Sequence, residues 1–170
     1  KAVIISGSSG VGKTRLLEEV QRDTQAKGIK YIRINSFEED IDKPYAALAG
    51  FLEEYLKSLG KEEIKLLSDT LDKDQLYELK NIVPAFKEIT LPQETKPVDG
   101  LPQRRLNLIE GILKIMGKIG QEATTVLAID DFHWVDAASL EIFYYIFRLK
   151  DSRVVLLATA LMDGECLLTG

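Results

Sequence analysis

Apolar positions along the chain fall into two rhythms. Residues 2–5 (Ala-Val-Ile-Ile), 125–129 and 153–158 are short, nearly unbroken apolar runs bounded by turn-forming residues, and 29–34 (Ile-Lys-Tyr-Ile-Arg-Ile) is rich in β-branched and aromatic types. Runs of this length and composition predict four buried strands. Between them the apolar positions recur at helical spacing. From Lys13 a helix is expected with Leu16, Leu17 and Val20 on one face and Gly28 as its stop. A second should begin near Pro44, carry Tyr45, Leu48, Leu52, Tyr55 and Leu59, and end at Gly60. A third starts at Pro102 with Leu106, Ile109, Leu113, Met116 and Ile119 as its stripe and Gly120 after it; a fourth covers 137–149. Residues 61–100 are more charged and are broken by Pro84, Pro92 and Pro97, which predicts a variable insertion of short helices and a loop on one side of the domain. Strands alternating with helices predict an α/β fold: a parallel sheet with helices on both faces. No internal repeat of solenoid length is visible.

Composition narrows the class. At 170 residues, 45% hydrophobic and 29% charged, the chain suits one domain with a sizeable core. The single cysteine, Cys166, excludes an internal disulfide and a cysteine-based zinc cluster. A net charge of −5 and a pI near 5.1 argue against direct nucleic-acid binding or an anionic membrane partner. The longest apolar run, 154–162, is too short to span a bilayer, and no charged leader with an apolar signal core opens the sequence, so a cytoplasmic location is expected. An apolar strand that begins at once after Lys1, and an uncapped end over 166–170, suggest a piece of a larger multidomain protein.

The clearest chemistry lies between the first strand and the first helix. Gly7-Ser8-Ser9-Gly10-Val11-Gly12-Lys13-Thr14 fits G-x-x-x-x-G-K-[ST] at every defined position. Glycines let the backbone curl so that successive N–H groups face phosphate oxygens, and the helix N-terminus adds partial positive charge. Lys13 can reach the β- and γ-phosphates, and the Thr14 hydroxyl can ligate Mg²⁺. A nucleotide triphosphate site is expected here, with Gly7 through Thr14 and the adjoining Arg15 as its binding residues.

The third strand ends in Asp130-Asp131. Ligands in a parallel sheet sit beyond the carboxyl ends of the strands, so these carboxylates can face the phosphate loop. Asp130 is the candidate Mg²⁺ residue beside Thr14, and Asp131 the candidate that orients or deprotonates the attacking water. Lys13 and Thr159 complete the catalytic set, Thr159 as a polar strand-end residue able to bond the water or the γ-phosphate. Downstream, Asp136 should cap the fourth helix, His133 reads as a hydrogen-bonded structural histidine, and Trp134 as packing.

The phrases GSSGVGKTRLL (7–17) and LAIDDFHWVDAASLEIF (127–143) together resemble the AAA-like ATPase domain of STAND signal-transduction ATPases, found in large transcription regulators and in cyclase- or kinase-linked signalling proteins. Pro44-Tyr45-Ala46-Ala47-Leu48 and Arg105-Leu106 extend the likeness, which covers nearly all of the chain apart from 61–100. The resemblance implies a P-loop NTPase core, a three-layer α/β/α sandwich across 1–170, with the C-terminal strand, helical lid and effector repeats beyond this sequence. It implies ATP/ADP and Mg²⁺ as ligands, flanking domains of the same chain as partners, and nucleotide-dependent self-association. By carry-over Gly12, Lys13 and Thr14 bind phosphate and metal, Asp130 attends the Mg²⁺ and Asp131 serves the water. The sequence departs from the family where an Arg often follows the fourth strand: Leu161 stands there, which implies slow hydrolysis. A regulatory ATPase switch is therefore expected. A small-molecule kinase should offer Arg residues in a lid, yet 61–100 contains none, and a DNA-associated loader should present a basic face.

Overall fold

The computed structural model describes residues 1–88, 100–122, 124–148 and 153–161. Its strands are β1 (Ala2–Gly7), β2 (Lys30–Asn35), β3 (Thr125–Asp130) and β4 (Val154–Leu161), all parallel in the order β1-β4-β3-β2. The order follows from burial. Every residue of β3 is buried, which requires neighbours on both sides and cover on both faces. Along it Leu127 and Ile129 join a large core, while Val126 and Ala128 join a smaller one on the opposite face.

Helix α1 (Lys13–Ala26) covers the smaller core, with Leu17 fully buried. The larger core is covered by α2 (Ala46–Lys57), α3 (Lys61–Ser68), α4 (Lys73–Ile82), α5 (Leu101–Glu122) and α6 (Ala137–Arg148). The result is the expected three-layer α/β arrangement of a P-loop NTPase.

Helix faces needed correction. Leu16 is 45% and Leu106 46% exposed, whereas α5 buries Leu108, Ile112, Ile115, Met116 and Ile119. Apolar residues occupy about half of α5's circumference, so spacing alone leaves its rotation open and the neighbouring helices decide it. In α2, Phe51 and Leu56 are buried beside the expected Leu48, Leu52 and Tyr55. Pro44 does not open that helix: Tyr45 adopts a left-handed φ of 67° and the helix starts at Ala46. Gly120 lies inside α5, which runs on to Glu122. Pro92, Pro97, Leu149 and Cys166 lie outside the described residues.

Between Lys61 and Glu88 the chain forms α3, α4 and a short 3-10 turn, and these are built into the core. Leu67, Leu76, Leu79, Val83 and Phe86 are all buried in the larger cluster. Asp72 caps α4 by accepting from the Asp74 and Gln75 N–H groups at 3.1 and 2.9 Å. The buried Gln75 side chain accepts from Lys114 Nζ at 2.8 Å, and Glu78 takes two bonds from Arg104, which ties α4 to α5. At Gly111 a Cβ would lie 3.0 Å from Leu79 Cδ1 and 3.3 Å from Gln75 Cβ. Gly111→Leu, although a better helix former, should therefore destabilise the protein by about 1–3 kcal/mol through overpacking. Urea unfolding checks this; a neutral result would mean that the two helices separate freely.

Candidate nucleotide site

The phosphate loop leaves β1 at Gly7 and enters α1 at Lys13. Gly10 and Gly12 have φ of 79° and 97°, and a Cβ at either would meet nothing within 4 Å. Backbone conformation, not space, is what calls for glycine there. Lys13 Nζ donates to the Gly7 and Ser8 carbonyls, both at 2.9 Å, so the ammonium is folded back over the loop. Ser9, Gly10, Gly12, Lys13, Thr14 and Arg15 line a cavity of about 790 Å³; Gly7, Ser8 and Val11 do not line it. Asp131, His133, Trp134 and Leu161 line the same cavity.

Asp130 ends β3 next to the loop. The Thr14 hydroxyl donates to its Oδ2 at 3.0 Å, joining residues 116 apart in sequence. The same oxygen takes Arg33 Nη2 at 2.7 Å, and Oδ1 accepts from the Thr159 hydroxyl. Burial alone would raise the Asp130 pKa; the hydrogen bonds from Thr159, Thr14 and Arg33, with the guanidinium charge, outweigh it and hold the carboxyl below its ordinary range. Asp130 is thus ionised in the folded state. Its contribution to stability is present above the ordinary carboxylate range and is lost as pH falls through the lowered value.

Asp131 has a left-handed φ of 55° and starts the short 3-10 turn Phe132–Trp134. Its N–H donates to Thr159 Oγ1 at 3.0 Å. Thr159 departs from expectation. Strand β4 continues to Leu161, so Thr159 lies inside it, fully buried, with its proton committed to Asp130 and a lone pair to Asp131. In this geometry it positions the two acids and does not line the cavity. His133 Nδ1 accepts a long bond, 3.4 Å, from the Leu161 N–H, while its Nε2 is buried without a partner.

Asp136 caps α6 as expected, through the Ser139 N–H at 2.9 Å. It also accepts from the Tyr45 and Ala47 N–H groups at 2.8 and 3.2 Å, a second role at the start of α2. Sequence reasoning also missed Arg33. A charged residue inside the apolar run Ile32-Arg33-Ile34 was the available signal, because a buried strand tolerates an interior cation only beside a carboxylate.

The donor set fits Mg²⁺. Two hard oxygens, Thr14 Oγ1 and Asp130 Oδ2, lie side by side, and among the described residues no group of three or more His, Cys, Asp or Glu could cage a metal. Such a sparse set suits an ion that keeps water and phosphate oxygens as its other ligands. Among the described residues no helix is long and apolar enough to cross a membrane.

Compared with protein families, residues 1–158 match the AAA ATPase domain. No curated protein is similar enough to count as a relative. Because the match runs from the first strand through the phosphate loop and both acids to the last strand, the chain belongs to the AAA ATPase domain family and is a nucleotide-binding protein.

Proposed function

We propose that this domain is an ATP-binding regulatory module of the STAND type, a slow Mg²⁺-dependent ATPase whose ATP and ADP states switch the packing of neighbouring domains. The observation that carries the reading is the meeting of Thr14 and Asp130 at 3.0 Å, with Lys13 and Asp131 lining the same cavity. Mg²⁺, bound with the triphosphate, would supply charge neutralisation at the phosphate oxygens. Lys13, released from the Gly7 and Ser8 carbonyls, binds the terminal phosphates. Thr14 and Asp130 hold the metal, Asp131 orients the water, and Thr159 fixes both acids. Leu161, an apolar residue lining the cavity, offers no charge to the transition state, which favours slow turnover and a long-lived signal. Residues 1–170 are read as the core of a longer cytoplasmic signalling protein.

The test is titration with a fluorescent ATP analogue, together with phosphate release from ATP alone. Lys13→Ala should weaken triphosphate binding by about tenfold or more, and diphosphate binding less, because a charge-assisted contact to the terminal phosphates is lost. Unchanged affinity would overturn the nucleotide reading. Phosphate release that required an added acceptor would favour a kinase, although α3 and α4 are packed into the core and are poorly placed to act as a lid.

A further inference from the structure

Arg33 has no part in the scheme above, yet it holds the site's metal residue. It lies on β2, two residues before Asn35, which pairs with Asp130 in the sheet register. Its side chain is 23% exposed, with Nη2 2.7 Å from Asp130 Oδ2 and Nη1 3.9 Å from Glu18 Oε1 on α1. Its Nε is buried and unpartnered. Asp130 Oδ2 is also the oxygen that faces Thr14. The carboxylate oxygen best placed for a metal, or for a metal-bound water, is thus already taken by a cation that cannot lose its charge.

An arrangement built only for stability would satisfy the whole guanidinium fork. Here one nitrogen is well bonded, one has no partner, and one reaches loosely toward a second carboxylate. Glu18 is half exposed and lines the same cavity as the phosphate loop. The fork therefore has two seats, one occupied and one close by.

We propose that Arg33 is a resident counter-cation that holds Asp130 in the metal-free site and yields it, moving toward Glu18, when Mg²⁺ enters with nucleotide. This rests on the assignment of Thr14 and Asp130 to the metal. Two consequences follow. Competition with Arg33 limits how much Mg²⁺ strengthens nucleotide binding, and metal occupancy is transmitted to α1 through Glu18. A divalent cation and a guanidinium at one carboxylate repel each other, so occupation of one seat empties the other.

The experiment compares affinity for a fluorescent ADP analogue in excess Mg²⁺ and in EDTA; the readout is the ratio. Arg33→Met should raise the Mg²⁺ enhancement by about tenfold, the worth of a charge-assisted hydrogen bond no longer competing. Arg22→Gln controls for loss of a positive charge alone, because Arg22 also lines the cavity but pairs with Glu19. Glu18→Gln should lower the enhancement by about threefold, since the displaced guanidinium loses its second seat and the pair is partly exposed. An Arg33→Met ratio that falls, stays within twofold, or is matched by Arg22→Gln overturns the proposal, Arg33 then being only an anchor for Asp130. If Arg33→Met does not fold, Glu18→Gln decides: an unchanged ratio overturns the exchange. Failure of the parent to bind nucleotide at all overturns the nucleotide reading and this inference with it. Binding with an unaltered ratio overturns this inference alone.

Discussion

Asp131→Asn is expected to slow ATP hydrolysis by about 10²–10⁴ while leaving nucleotide affinity nearly unchanged, the range for removing a positioned general base. The substitution isolates the chemistry. Asp131 sits at a φ of 55°, where most side chains are strained, but Asn is among the few residues that occupy this region readily. The backbone N–H that bonds Thr159 Oγ1 is untouched, so the turn carrying the side chain stays anchored. What changes is one carboxylate oxygen of a cavity-lining residue, which becomes an amide NH₂ that cannot accept a proton from water. Asp130 and its partners Thr14, Arg33 and Thr159 are left unaltered, so metal and phosphate binding should persist. Single-turnover phosphate release, measured beside analogue titration, separates the two effects even when the parent is slow. Equal rates for mutant and parent would move the water-activating role away from Asp131.

The parts of this site that could be read from the sequence are those encoded within a few consecutive residues. The phosphate loop is one uninterrupted stretch from Gly7 to Thr14, and its glycines at 10 and 12 are needed for a local reason, positive φ. The acids sit together at the end of an apolar run, so a strand and its polar terminus are legible at once. Contacts between elements were not legible. Nothing in β2 says that it lies beside β3, and without that register Arg33 is only an odd charge in an apolar segment. Thr159 looked like a strand-end residue because the local pattern stops at Ala158; the strand continues because pairing with β1 extends to Leu161. The expected stripe of α5 holds at Met116 and Ile119, which are buried, and at Ile109 and Leu113, which pack against the core, but not at Leu106, for a related reason. Leu106 and Leu108 are equally apolar, and only packing against neighbouring helices buries the second and exposes the first.

Asp136 is the case where a local reading was right and yet far too small. The residue is 2% exposed, and its carboxylate accepts three backbone N–H groups, Ser139 in α6 and Tyr45 and Ala47 at the start of α2. The positive ends of two helix dipoles thus converge on one buried negative charge, and Ser139 adds to the junction by accepting from the Leu48 N–H at 3.0 Å. Asp136→Ala removes one ordinary cap, worth about 1 kcal/mol, and strands two further donors at about 1–3 kcal/mol each. Partial entry of water at the half-buried Tyr45 and Ala47 offsets some of this, so the expected loss is about 3–5 kcal/mol, a large share of the stability of a domain this size. Asp136→Asn should cost less, about 1–2 kcal/mol. The amide oxygen can replace Oδ1, which serves both Tyr45 and Ser139, but the amide nitrogen would then face the Ala47 N–H, donor against donor. Urea unfolding of the two variants beside the parent gives both numbers. If Ala cost no more than a single helix cap, the second role at α2 would carry no energy and the junction would be held by apolar packing alone.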